Sequence, residues 1–354
     1  MPQTDGTVLG GQRSRKASVG AVGLLTATAF IWGMCFVAQR SSMEHVGPLL
    51  FNGIRQALGA LTLAAAIGIM VLAACLRKRY WPGGRTARGS EAADKGSAAA
   101  DKGGTGRTTF WRRQLWRILL PGTACGAVLF VASNLQQAGM VYTTASKAGF
   151  ITTLYIVLVP LIGMAFRHRT HWNTWLSVLI AVVGLYFLCM SEGLEVAPGD
   201  AILLCSALFW ALHILFVDRF VAGLRQKDVM WLCVVQFSVA AVLSLLVAPA
   251  LDQLFVPRPV TLDALTVIAP EIAYAGVLST GVAFTLAAIG QKYAAPSAAA
   301  IVMSLEAAFG LLGGVVLLSE ALSLREAVGC VLMFSAVTLA QVQFKRRKLK
   351  RRAA

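Results

Sequence analysis

Charge is scarce in this chain: 14% of its 354 residues are Asp, Glu, Lys or Arg, against 57% that are hydrophobic. A soluble domain of that length has no interior large enough for so much apolar surface, and a mean hydropathy of +0.69 places the chain in a bilayer. Acidic residues are the scarcer sign, 16 against 32 Lys and Arg. No apolar run carries two carboxylates at helical spacing, which excludes the metal and diphosphate centre of an intramembrane transferase. Nothing marks His213 as the base of an intramembrane serine protease. The seven cysteines form no C-x-x-C pair and no His/Cys cluster at ligand spacing, so buried reduced thiols are expected rather than a disulfide frame or a metal site. A G-x-x-x-x-G-K-[ST] loop is missing too, which removes ATP hydrolysis by that route. An enzyme is not expected, nor is a cofactor. The net charge of +16 does not point to nucleic acid, because the basic residues sit between or beyond the apolar runs without aromatic interleaving.

What the chain does have is ten apolar stretches of membrane length: 20–38, 49–74, 118–138, 146–166, 173–191, 200–217, 229–250, 265–289, 296–318 and 325–343. It also repeats itself. Residues 135–163 return without a gap 151 positions later as 286–314, sharing Leu135/Leu286, Gly139/Gly290, Tyr142/Tyr293, Ser146/Ser297, Ala148/Ala299, Leu154/Leu305, Leu161/Leu312 and Gly163/Gly314. Ala29 and Trp32 likewise match Ala207 and Trp210, 178 positions on. Five spans fill one period, and an odd number turns the second copy upside down in the bilayer. The expected fold is therefore all-α and integral to the membrane, with ten transmembrane helices in two inverted repeats of five, an arrangement usual in secondary transporters.

The expected organisation is a cytoplasmic leader at 1–19, a first repeat at 20–191, a second at 200–343 and a basic tail at 344–354. Within the first repeat, 76–112 holds AADKG twice, at 92–96 and 99–103, and reads as a disordered cytoplasmic insert. Of the 32 Lys and Arg, 27 fall on the side of both termini and the even-to-odd loops, so the positive-inside rule puts both termini in the cytoplasm of a multi-pass plasma-membrane protein. The tail KRRKLKRRAA then meets lipid headgroups.

Ionisable groups at mid-membrane are costly, by about 2.5–3.5 kcal/mol on insertion scales, so each needs a reason. Glu306 stands near the middle of the ninth span, at the repeat position of Tyr155 in the fourth. It could take a proton, pair with a cationic part of a substrate, or act as a hydrogen-bonded structural carboxyl. His213 lies one turn after Trp210 in the sixth span and could relay protons or bond a neighbouring carbonyl. Asn134 and Gln136 make one end of the third span polar, shared between interhelical bonds and substrate contacts. Arg55, Lys147 and Glu271 lie toward the outer ends of their spans, either as an Arg55–Glu271 ion pair or as an anion-attracting vestibule. Gly310 with Gly314, and Ala145 with Gly149, offer small-residue faces for close helix contact. Pro160 predicts a kink in the fourth span that its repeat partner Leu311 does not share.

The early WGMCF at 32–36, the run AGFITTLYIVLVPLIG at 148–163 and SLEAAFGLLGGVVLLSEALSLREAVG at 304–329 resemble the EamA-type branch of the drug/metabolite transporter superfamily, over about residues 20–343. Leu305-Glu306-Ala307 stands where that family often has Leu-Glu-Pro, and Ser319-Glu320 where it has Gly-Glu. Ala307 for proline removes the family's reason for a helix break at Glu306. The resemblance implies a ten-helix, two-repeat fold that moves small metabolites, often outward, by alternating access. The expectation is thus a secondary exporter of a small organic metabolite such as an amino acid or drug-like compound. Trp32 and Trp210 would be its aromatic wall and Tyr155 and Glu306 its polar floor. Proton coupling through Glu306, exchange and facilitated diffusion all fit. A flippase for lipid-linked or polyprenyl headgroups is the alternative within the same superfamily.

Overall fold

The structure, a computed structural model, describes residues 15–80, 104–143, 145–165, 171–189, 198–256, 260–318 and 323–350. Among them the regular structure is helical throughout. Among the described residues, seven helical stretches are long and apolar enough to cross a membrane: Val19–Ser42, Pro48–Arg77, Leu115–Tyr142, Ala148–Ala165, Pro198–Val221, Gln226–Leu254 and Ala269–Gln291. Trp172–Phe187 and Pro296–Leu312, in the expected fifth and ninth spans, are apolar but shorter. Leucines and isoleucines that a soluble protein would bury stand exposed, Leu61, Ile69, Leu204 and Leu246 among them, as lipid contact requires.

In chain order, α1 is Arg15–Ser42, α2 Pro48–Tyr80 and α3 Gly104–Gly139. The expected insert at 76–112 is therefore helical at both ends, through residue 80 and from residue 104. Both adjoining helices carry their hydrogen-bond ladders past the apolar stretch. Its middle, 81–103, lies outside the described residues, as do the leader before Arg15 and residues 351–354.

Two expected spans are interrupted. The fourth divides into α4, Ala145–Thr153, and α5, Tyr155–Ala165, around Leu154. The ninth divides into α12, Pro296–Met303, and α13, Glu306–Leu318, around Ser304 and Leu305. Leu154 N–H donates to Ile151 at 3.2 Å and Leu305 N–H to Val302 at 3.2 Å, so both breaks are tightened i→i+3 turns. They stand 151 residues apart, at repeat-equivalent positions. The break before Glu306 forms without a proline at 307, and the break in the fourth span lies at Leu154 rather than at Pro160, which sits inside α5.

Between these lie α6, Trp172–Cys189, α7, Pro198–Val221, and α8, Gln226–Leu251. The expected eighth span starts with two short helices, α9 Leu262–Val267 and α10 Ala269–Ala273, continues as π-helix over Tyr274–Ala283, and ends in α11, Phe284–Gln291. The final helix, α14, is Leu324–Lys350. Packing pairs α2 with α8, α6 with α14, and α3 with α7 and α8, while α1 lies against α11, α13 and the π-helical segment. At the α1–α13 crossing a Cβ on Gly33 would meet the Glu306 carbonyl oxygen and, at 2.7 Å, the Gly310 nitrogen, so only glycine admits this approach. Gly149 has open space instead and is no contact face. Cys75 and Cys205 are exposed on the bundle surface, unlike buried Cys35, Cys125 and Cys233.

Candidate functional site

A partly open cavity lies among the helices. Among the described residues its walls come from α1 to α5, α7, α8, the π-helical segment and α11 to α13, and none from α6 or α14. One wall is aromatic. The Phe284 ring lies 4.6 Å from Trp32 and 5.8 Å from Trp210, nearly parallel to the latter at 26°, and the two indoles are 6.5 Å apart. His213 and Phe237 meet Phe284 edge-on at 6.2 and 5.9 Å. Such contacts fix ring planes more firmly than aliphatic packing would.

Each indole N–H is satisfied: Trp210 Nε1 donates to Gln136 Oε1 at 2.7 Å and Trp32 Nε1 to the Ser279 carbonyl at 3.3 Å. The indole planes are therefore held from two directions, by ring contact and by a hydrogen bond. His213 Nε2 lies 3.2 Å from Gln236 Oε1, a side-chain partner on α8 rather than a backbone carbonyl.

Glu306 is the first residue of α13 and lines the cavity directly after the break in its span. Its Oε1 accepts from Tyr155 Oη at 3.1 Å and from Thr153 Oγ1 at 3.4 Å, the residues flanking the break in the fourth span. The two interrupted helices thus meet through their repeat-equivalent residues. A helix start carries free N–H groups and the positive end of the dipole, which favours a carboxylate there.

Of the sequence-derived candidates, Trp32, Gln136, Tyr155, Trp210, His213 and Glu306 converge on the cavity. Asn134 does not: its amide donates to Phe130 O and Ser244 Oγ, both at 2.8 Å, and its Oδ1 accepts from Asn52 at 3.0 Å, clasping α2, α3 and α8. Arg55 is a cavity residue, 3% exposed, and forms no pair with Glu271. Glu271 stays half-buried on the short α10, its Oε2 without a hydrogen-bond partner among the described residues. The Lys147 side chain lies outside the described residues. Sequence reasoning missed Phe284, Gln39 and Gln291. Phe284 has Ser133 as its repeat partner and so carries no symmetry signal; Gln39 and Gln291 fall one or two residues beyond the assigned span ends.

Residues 197–341 match the EamA-like transporter family. An uncharacterized transporter of Archaeoglobus fulgidus is 30% identical over 223 residues, 63% of this chain and 68% of its own length. An uncharacterized transporter of Methanothermobacter thermautotrophicus is 23% identical over 215 residues, 58% of this chain and 60% of its own. A crystal structure aligns over 94% of this chain and 99% of its own with a TM-score of 0.64 at 18% identity, a likeness of fold.

Proposed function

From the premise that this chain belongs to the EamA-like transporter family, we propose that it is a secondary exporter of a small organic metabolite. The central cavity would open alternately to the two sides of the plasma membrane, with both termini in the cytoplasm. The observation that carries this reading is the meeting of the two broken helices at the cavity, where Tyr155 and Thr153 hold the Glu306 carboxyl beside an aromatic wall. Interrupted helices at mid-membrane are a recurrent way to present polar groups to a substrate without exposing backbone to lipid.

The pairing of α2 with α8 and of α6 with α14 supports ten spans in two inverted repeats. A two-fold axis relating the halves would map each of these pairs onto itself and α3 on α7 onto α11 on α1. The residues assigned to binding or coupling are Trp32, Gln136, Tyr155, Trp210, His213 and Glu306; Asn134 has a clasping role. Glu306 serves as the coupling carboxyl, because a carboxylate in this cavity must be neutralised by a proton or by a cationic part of the substrate. The remaining partners are membrane lipids, with the basic tail at the cytoplasmic headgroups.

The test is efflux from proteoliposomes loaded with a mixed metabolite pool, read by mass spectrometry under an imposed pH step, for wild type and Glu306→Gln. Movement of one compound class that responds to pH in the wild type and loses that response in the variant supports the reading. No movement of any compound by a folded wild type contradicts it. Equal pH response in the variant removes the coupling role from Glu306.

A further inference from the structure

Arg55 is the cavity residue without an explanation. It is 3% exposed, lines the same cavity as Glu306, and its Nε has no hydrogen-bond partner among the described residues. Its near neighbours are the thiol of Cys35 and the ring of Phe51, whose centroid lies 5.8 Å from the guanidinium carbon. Ring contact steadies the guanidinium but does not compensate a buried charge. No carboxylate among the described residues forms an ion pair with it. A desolvated guanidinium left this way is expensive in a membrane interior, and its planar fork of donors matches a carboxylate bidentately.

Other polar atoms of the cavity also have no hydrogen-bond partner among the described residues: Gln39 Oε1, Thr152 Oγ1 and Gln291 Oε1. Buried polar groups in native proteins rarely go unpaired, so several in one cavity mark the place of a polar guest. Arg55 and Glu306 line the same cavity, which puts a cationic and an acidic side chain in one compartment. Glu306 accepts both of its described bonds on Oε1, which leaves Oε2 for the cavity.

We propose that Arg55 recognises a carboxylate in the cavity and that the substrates are small amphoteric metabolites, with the carboxylate on Arg55 and an ammonium group facing Glu306. The proposal deepens the transporter reading above and rests on it. The aromatic wall of Trp32, Trp210 and Phe284 then takes the apolar part of the same molecule. A dianion would meet Glu306 and an amine without a carboxylate would leave Arg55 uncompensated, so both are rejected.

The experiment is counterflow exchange in proteoliposomes, which needs no coupling ion. The pool is defined: the common amino acids, amines that lack only the carboxylate, and acids that lack only the amine. Wild type is expected to exchange one or more amino acids at least about tenfold faster than the matching amine or acid, as one charge-assisted interaction worth about 1.4 kcal/mol would give. Arg55→Gln is expected to lower amino-acid exchange by about tenfold or more and to narrow the gap to the amine. Arg55→Lys keeps the charge but not the fork and falls between, so it carries the test where Arg55→Gln fails to insert. Wild-type exchange of compounds without a carboxylate, or amino-acid exchange unaltered in Arg55→Gln and Arg55→Lys, overturns the proposal and leaves the transporter reading standing. A folded wild type that exchanges nothing in this pool or in the mixed pool overturns both.

Discussion

Hydroxyl groups alone hold the Glu306 carboxyl in place among the described residues, and Tyr155 is the nearer of its two donors at 3.1 Å. Hydrogen bonds to charged groups contribute about 1.5–3 kcal/mol each, so Tyr155→Phe is expected to slow transport by roughly tenfold. It should also displace the pH profile of efflux, the measurement that separates a bond to the coupling carboxyl from simple loss of packing. Phe284→Leu stays apolar but gives up some volume and removes the ring that both Trp32 and Trp210 face. Each aromatic pair contributes about 0.5–1.5 kcal/mol beyond its buried area, so the variant is expected to raise KM severalfold in a concentration series. At this scale the repeat made Tyr155 and Glu306 legible as equivalent positions, and its Trp32/Trp210 match made the indoles legible. Phe284 was not legible, because an isolated Phe in an apolar span looks the same whether it faces lipid, core or cavity. Arg55 was legible as an anomaly but not in its place: spacing alone could not show that it lines the cavity and makes no ion pair with Glu271.

The α2 start shows how elements are fixed to each other. Pro48 opens the helix, and the Asp252 carboxylate, from beyond the end of α8, accepts the N–H groups of Leu49 and Leu50 at 2.8 Å each. A cap supplied from 202 residues away ties the adjacent ends of α2 and α8 as well as satisfying free donors. Asp252→Ala is expected to cost about 0.5–2 kcal/mol, seen as a lower unfolding midpoint and faster hydrogen exchange at Leu49 and Leu50, with Asp252→Asn intermediate. The interrupted helices make a second prediction. Ala307 N–H makes only a 3.3 Å bond to Ser304 in the first turn of α13, so Ala307→Pro loses little and should leave the unfolding midpoint nearly unchanged. Leu311→Pro, one turn further on, should cost about 3 kcal/mol or more by the same thermal unfolding measurement. Hydropathy windows found the ninth span but not its break, because a tight turn made of apolar residues leaves hydropathy unaltered. The similar register of the break in the fourth span became visible only in the backbone hydrogen bonds.

For the whole molecule, composition and span count were enough for an all-helical membrane protein, since no soluble fold accommodates such an apolar chain. The sequence could not tell which helices line a cavity, because that depends on how the helix faces are apportioned between lipid and neighbours. Fusion reporters at the N-terminus and at residue 354 are expected to report the cytoplasm at both ends; opposite sides would contradict the five-plus-five arrangement. The central claim is that one cavity is reached from both sides of the membrane in turn. Ala288 lines that cavity and is 2% exposed, so it reports on the interior alone. The most direct measurement is labelling of Ala288→Cys, with the seven native cysteines replaced, by a membrane-impermeant maleimide added first outside and then inside. Labelling from each side, with each reaction slower than at a surface cysteine, is the predicted result. Labelling from one side only, or from neither, would contradict alternating access through this cavity.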